Sequence, residues 1–344
     1  MSFSVALAGL AFLVALMLTG LMRVFAVRAG LMDRPNERSS HTIPTPRGGG
    51  VGIVAAFLLV MAASAWISLI SWRLVGAVGA GGLLIAALGF IDDRRGLPAR
   101  IRFAGHSVAA IWILYWVGDL PALPLLGMNV PLGLAGPLLA FLFITWMVNL
   151  FNFMDGIDGL AGLEALTVGA SGTLLWYLFG DSSHEWLAGV LFSASLTGFL
   201  LWNFPPAKIF MGDAGSGFIG FVIAALALWS CRTAPVLVWS WAILSGCFIV
   251  DATTTLIRRV RRGERFHEAH RSHAYQYASR RFGAHRPVTI AVGMINFLWL
   301  FPVAALVAGG WLDGLLGIIL AYAPLIWLAF HFRAGDKKMQ ECHT

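Results

Sequence analysis

The sequence predicts an all-α, polytopic integral membrane protein of about eleven transmembrane helices, and three observations carry that prediction. Apolar residues make up 58% of the 344-residue chain and charged residues only 12%, with a mean hydropathy of +0.78, too apolar for a water-solvated surface. The apolar material comes in blocks of about 20 residues, the length that crosses a bilayer. Lys and Arg collect between alternate blocks, the asymmetry that sets membrane orientation.

The first block, 3–25, carries no charge before Arg23, so its basic end follows the apolar run, the reverse of a cleavable signal peptide. Blocks at 48–70, 74–91 and 104–119 come next, the first opening on Gly48-Gly49-Gly50 and the second closing on Asp92-Asp93. Further blocks at 131–151, 161–180, 186–203 and 214–231 are followed by one at 234–256, just ahead of Arg258, and by two last ones at 288–309 and 311–332. This alternation puts segments 26–47, 92–103, 152–160, 204–213, 257–287 and the tail after 332 on one side. Of the 24 Lys and Arg residues, all but Arg73 and Arg232 lie on that side, counting Arg23 at the end of the first block. That side is expected to be cytoplasmic, with the N-terminus outside and the C-terminus inside.

One integral-membrane domain, 1–344, with a cytoplasmic His/Arg loop at 258–287 inside it, is the expected organisation. Cys231, Cys247 and Cys342 form no CxxC pair, which argues against a disulfide framework and a zinc site. The net charge of +7 is mostly a topology signal that also suits anionic headgroups and nucleotides. Nothing beyond it supports nucleic-acid binding.

Polar clusters fall on the same side, at span ends. Asp92 and Asp93 leave the membrane together; such a pair ends a span, but adjacent like charges beside a low-dielectric medium need a cation or nearby arginines, for which Arg100 and Arg102 qualify. In Asn149-Leu-Phe-Asn152-Phe-Met-Asp155-Gly-Ile-Asp158 polar groups recur every third residue, so neighbours share a helix surface. An interhelical hydrogen bond would satisfy each amide, yet four oxygen-bearing groups in register suit a hard cation such as Mg²⁺. Asp213 and Ser216 stand where a span starts and unpaired N–H groups attract anions, although a plain helix cap would also explain Asp213. Asp251 lies about 10 Å along a helix from Arg258, at a depth that costs on the order of 3 kcal/mol unless the carboxylate is partnered. The loop carrying His267, His270, Arg271 and His273 offers cationic donors suited to a diphosphate. Arg47 and the three glycines after it end the first polar loop where close backbone approach is allowed.

The segments RSSHTIPTPRGGG, IDD, NLFNFMDGIDGLAG, MGDAGSG and HRSHAYQ occur together, in this order, in one family. The chain resembles the bacterial polyprenyl-phosphate N-acetylhexosamine-1-phosphate transferases, relatives of the phospho-MurNAc-pentapeptide translocases, over residues 31 to about 285. The resemblance implies a multi-pass enzyme of the bacterial inner membrane, EC 2.7.8 in type, using Mg²⁺ or in its place Mn²⁺. It would transfer a sugar phosphate from a UDP-N-acetylhexosamine to undecaprenyl phosphate, release UMP and initiate a cell-envelope glycan, lipopolysaccharide O-antigen for the nearest type. By motif, Asp213 and Asn152 resemble Mg²⁺ ligands, Asp92 and Asp93 lie beside metal and lipid phosphate, and Asp155 and Asp158 line the nucleotide pocket. His270, Arg271 and His273 resemble the loop that grips the diphosphate, and Asn149, Arg47, Arg100, Arg102, Ser216 and Asp251 are expected substrate contacts. Where relatives have further histidines this chain has Ala274 and Tyr275, which leaves the sugar open among GlcNAc, FucNAc and QuiNAc; the sequence also leaves open whether the chain pairs as a homodimer. The expected chemistry is direct in-line attack by the lipid phosphate, with Asp92 or Asp93 taking any proton it carries, a covalent aspartyl-phosphate being the other route. Two other functions compete: phospho-MurNAc-pentapeptide transfer, and an ion-coupled transporter, which also uses intramembrane carboxylates but gathers them at the bilayer midplane.

Overall fold

The computed structural model describes residues 2–35, 43–180, 183–264 and 271–336. It is overwhelmingly helical, in the order α1 Ser2–Arg28, α2 Gly50–Trp66, α3 Trp72–Arg95, α4 Ala99–Val117, α5 Ala135–Met154, α6 Leu160–Phe179, α7 His184–Asn203, α8 Asp213–Cys231, α9 Leu237–Leu244, α10 Gly246–Arg261, α11 Ala274–Phe282, α12 His285–Ala308 and α13 Gly314–His331. Among the described residues the strands form two short antiparallel pairs, β1 Met32–Asp33 with β2 Thr45–Pro46 and β3 Leu123–Leu125 with β4 Met128–Val130.

Each of the eleven expected blocks falls on helix, but length and composition support fewer spans. Seven helices, α1, α3, α5, α7, α8, α12 and α13, are long and apolar enough to cross a membrane, and α9 with α10, bent by 68°, makes eight if the pair is one span. α2 has 17 residues; α4 opens on Arg100 and Arg102, and α6 carries Glu164. Shortness in one case and polar residues in the others separate these three from the expected count.

α8 is the axis of the bundle: every residue from Ala214 to Cys231 is buried, against α2, α3, α5, α6 and α9. Small residues allow the approach, as membrane helices require. A Cβ on Gly50 of α2 would lie 2.4 Å from the Gly215 Cα, and one on Gly89 of α3 would lie 2.3 Å from the Asp213 carbonyl oxygen. α1 by contrast leaves Phe3, Leu10, Leu13, Met17 and Leu21 exposed, a surface whose natural solvent is lipid.

The polar segments gather at one end of this bundle. Gly48 and Gly49 donate their N–H groups to the Phe210 carbonyl at 3.1 and 2.8 Å, and Gly50 donates to Met211 O at 2.9 Å. This ladder joins the loop before α2 to the loop before α8, and it brings Arg47 to the start of α8 from 166 residues away.

Candidate active site

The centre of the site is the first turn of α8. Asp93, in the last turn of α3, accepts hydrogen bonds from the backbone N–H groups of Asp213 at 3.1 Å and Ala214 at 3.3 Å. It thereby caps, from a neighbouring helix, N–H groups that have no intrahelical acceptor. Gly212 makes this possible: its φ of +77° favours glycine, and a Cβ there would lie 2.7 Å from Asp93 Oδ2. The Arg47 guanidinium then reaches Asp93 Oδ1 and Asp213 Oδ1 with one nitrogen, at 2.7 Å to each. Burial works against the Arg47 charge, but Asp213, Asp93, Asp33 and Asp155 outweigh it and hold the group above its ordinary pKa.

One turn further along α8, Ser216 donates its hydroxyl to Asn152 Oδ1 at 3.1 Å, so the end of α5 joins the cluster. Asp155 follows at the α5 C-terminus, half-buried. Burial pushes its carboxyl up to about 7; Arg47 pulls it back, while Asp213, Asp93 and Asp158 add to the rise. Asp93, Asp213, Asn152 and Ser216 thus present carboxylate, amide and hydroxyl oxygens to one region, with a single arginine between two of the carboxylates. That all-oxygen, net-negative donor set fits a hard divalent cation. Among the described residues no group of three or more His, Cys, Asp and Glu is arranged to hold a metal ion; the set here mixes carboxylate with amide and hydroxyl.

Asp92 turns away from its neighbour. Its Oδ1 accepts the Leu97 N–H at 2.5 Å and its Oδ2 pairs with Arg102 at 3.0 Å, which shapes the α3–α4 connection at the rim of the cluster. Arg100 is exposed. Asn149 donates to the Thr145 carbonyl of its own helix at 2.7 Å, satisfying the amide without a ligand.

Asp158 sits beside the cluster and is engaged: it lies 3.1 Å from His285 Nδ1, and its Oδ2 accepts the Ala207 N–H at 2.9 Å. Asn203 supports the same corner, accepting the Gly159 N–H at 3.1 Å and donating to Ile209 O at 2.9 Å. His285 and Asn203 escaped the sequence reading; Asn203 was visible there as an amide at a span end, and His285 only as one more residue of a basic loop.

Asp251 is buried in α10 and fully occupied. Its Oδ1 accepts from Ala274 N–H at 2.9 Å and Thr255 Oγ1 at 3.1 Å and lies 3.3 Å from His273 Nδ1; its Oδ2 accepts from Tyr275 N–H at 3.0 Å. It fastens the basic loop to α10. Tyr275 carries the loop onto the site, donating its hydroxyl to Phe153 O at 3.2 Å, where only a glycine at 156 leaves room, since a Cβ there would lie 2.1 Å from that hydroxyl oxygen. Arg271 precedes this anchor, and its buried Nε–H has no acceptor among the described residues, a donor that a ligand can satisfy. His270 lies outside the described residues.

The sequence profile described as Glycosyl transferase family 4 matches residues 74–231, which include Asp92, Asp93, Asn152 and Asp213. The chain is 32% identical to a Bacillus subtilis protein named "Probable undecaprenyl-phosphate N-acetylglucosaminyl 1-phosphate transferase", over 86% of this chain and 82% of that one. A "Decaprenyl-phosphate N-acetylglucosaminephosphotransferase" of Mycolicibacterium smegmatis is 30% identical over 94% of this chain and 87% of its own. A "Phospho-N-acetylmuramoyl-pentapeptide-transferase" of Granulibacter bethesdensis is 32% identical over 66% and 69%.

Proposed function

This chain belongs to glycosyl transferase family 4, and on that premise we propose that it transfers an N-acetylhexosamine 1-phosphate from a UDP-sugar to a polyprenyl phosphate, undecaprenyl phosphate in a bacterial inner membrane, releasing UMP. The observation that carries this reading is the Arg47-bridged pair Asp93 and Asp213 at the first turn of α8, with Asn152 and Ser216 beside it. The basic side that holds this cluster faces the cytoplasm, where nucleotide sugars are made available. The transferred unit initiates a cell-envelope glycan, O-antigen in our preferred assignment.

The reaction brings two anions together. An oxygen of the lipid phosphate attacks the sugar-bound phosphorus in line, a new P–O bond forms, the bond to the bridging oxygen breaks, and UMP carries that oxygen away. Asp213 and Asn152, with Asp93 adjacent, would hold Mg²⁺, which when bound neutralises phosphate charge. Arg47 holds Asp93 and Asp213 together through one nitrogen. The Nε–H of Arg271, without an acceptor among the described residues, meets the diphosphate oxygens with His273 of the same loop, and preorganised donors of this kind favour the transition state because charge grows on the leaving UMP. Where the lipid phosphate carries a proton, Asp93 Oδ2, which accepts one long backbone bond, takes it; Asp92 is held by Arg102 and the Leu97 N–H.

Detergent-purified protein supplied with undecaprenyl phosphate, Mg²⁺ and each of UDP-GlcNAc, UDP-FucNAc, UDP-QuiNAc and UDP-MurNAc-pentapeptide tests the reading. One of the first three is expected to give UMP and a lipid-diphosphate sugar in equal amounts, with no radiolabelled enzyme-phosphate trapped. Turnover with the pentapeptide donor alone would move the chain to the peptidoglycan branch, and no UMP from any donor would refute the reading.

A further inference from the structure

The loop that carries Arg271 is anchored from one side by Asp251, but that anchor starts at residue 273. Arg271 itself is two residues upstream of it, and its Nε–H is buried without an acceptor among the described residues. A side chain meant to meet a diphosphate from that position needs its backbone fixed before the ligand arrives, because ordering it on binding would subtract from affinity.

The chain after the last helix supplies that fixation. Gly335 donates its N–H to the Ser272 carbonyl at 2.6 Å, directly between Arg271 and His273. Arg258, in the last turn of α10, clamps this segment by donating to the Ala334 carbonyl at 2.6 Å and by pairing with the Asp336 carboxylate. Tyr277 of α11 donates its hydroxyl to the Asp336 carbonyl at 2.9 Å. Ala334 is fully buried under these contacts. Gly335 has a φ of +76°, and a Cβ there would lie 3.0 Å from both the Thr255 carbonyl oxygen and the Arg258 Cβ. The position demands glycine both for its backbone and for its space.

We propose that residues 333–336 form a positioning strap that holds the Arg271–His273 segment against α10, so that Gly335 and Asp336 govern binding of the UDP-sugar diphosphate without touching it. The segment acts through Ser272 and Arg258, and α13 therefore does more than cross the membrane: it delivers the strap. The kinetic part of this inference rests on the transferase reading above; the structural part does not.

Three proteins test it: the chain ended after Asp336, the chain ended after Phe332, and Gly335→Ala in the full chain. Ending the chain after Asp336 leaves all constants unchanged. Ending it after Phe332, and Gly335→Ala, each raise KM for the UDP-sugar about tenfold, the size expected from forcing an L-residue into that backbone and losing the clamp, while KM for undecaprenyl phosphate stays the same. Trypsin then cuts the bond after Arg271 faster in both proteins than in the full chain. Unchanged donor KM and unchanged cleavage in these two proteins would overturn the strap, as would a loss of kcat and of both KM values in step with a lowered melting temperature. A full-length protein without transferase activity would refute the functional reading alone, because the cleavage rates still decide whether the strap holds the loop.

Discussion

Asp93 and Asp251 make nearly the same bonds and do different work. Each is largely buried, and each accepts two consecutive backbone N–H groups from the first turn of another helix, Asp213 and Ala214 for Asp93, Ala274 and Tyr275 for Asp251. The difference lies in what the capped helix brings. α8 starts with a second carboxylate, so capping by Asp93 gathers two negative charges around one arginine, a centre that calls for a cation. α11 starts with alanine, and Asp251 spends its remaining capacity on Thr255 and His273, so this cap fastens a basic loop to α10. The same capping geometry therefore builds an acidic centre in one place and anchors a basic loop in another.

Breaking the acidic centre should cost the most. Asp213→Asn keeps the shape and the helix start but removes a charge at the reacting groups, and kcat is expected to fall by about 10³-fold with little change in melting temperature. Asp93→Asn is expected to match it in kcat but also to lower stability, because an amide nitrogen would face N–H groups of Asp213 or Ala214. Equal activity in Asp213→Asn and the parent would remove the cluster from the mechanism.

Asp251→Asn should be felt differently. The substituted amide must set a donor against the Ala274 or Tyr275 N–H, at a cost of about 2 kcal/mol, so melting temperature falls and the loop loosens. Donor KM is expected to rise by about 10- to 100-fold with a smaller loss in kcat, measured by initial rates over a range of UDP-sugar. A pure kcat defect would place Asp251 at the reacting atoms instead of behind the loop.

The acidic centre was far more legible in the sequence than the anchoring of the basic loop. Asp93, Asn152 and Asp213 announce themselves as polar groups at the ends of apolar spans, where solvation chemistry restricts what they can be. Their grouping needed the fold, because Arg47 lies 166 residues from Asp213. Asp251 was conspicuous by depth, yet the partners that fix the loop include backbone N–H groups 23 and 24 residues on, and nearly every residue type carries one of those. For the same reason the Gly335 contact to Ser272 left no trace beyond a glycine. His285 hid among loop arginines although it pairs with Asp158. The helix positions were readable from apolar blocks of about 20 residues, but α2, α4 and α6 fall short of spans by length and composition because regular structure does not require uniform hydropathy.

Asp155 sharpens the comparison through pH. Its ordinary carboxyl value of 3.8 is raised to about 7 by burial, so protonation neutralises it as pH falls through 7 and activity that depends on its charge should fall about tenfold per pH unit below that value. Asp155→Asn is expected to flatten this acid limb at the lower rate. Arg47→Gln removes a group that pulls the value down and should move the limb to higher pH. A limb left in place by Asp155→Asn would belong to another group.

The smallest effect is expected at Asn149, and it separates a polar residue in the right place from one with a ligand. Its amide nitrogen donates to the Thr145 carbonyl one turn back, a carbonyl that already has a place in the helix ladder, so the bond adds little. Asn149→Ala should therefore change kcat/KM by less than about threefold, within what an exposed or locally satisfied side chain contributes. Asn152, three residues on, has the same chemistry but receives the Ser216 hydroxyl from α8, and its alanine variant should lose far more. If the two substitutions cost the same, the line drawn between α5 residues inside and outside the acidic centre is in the wrong place.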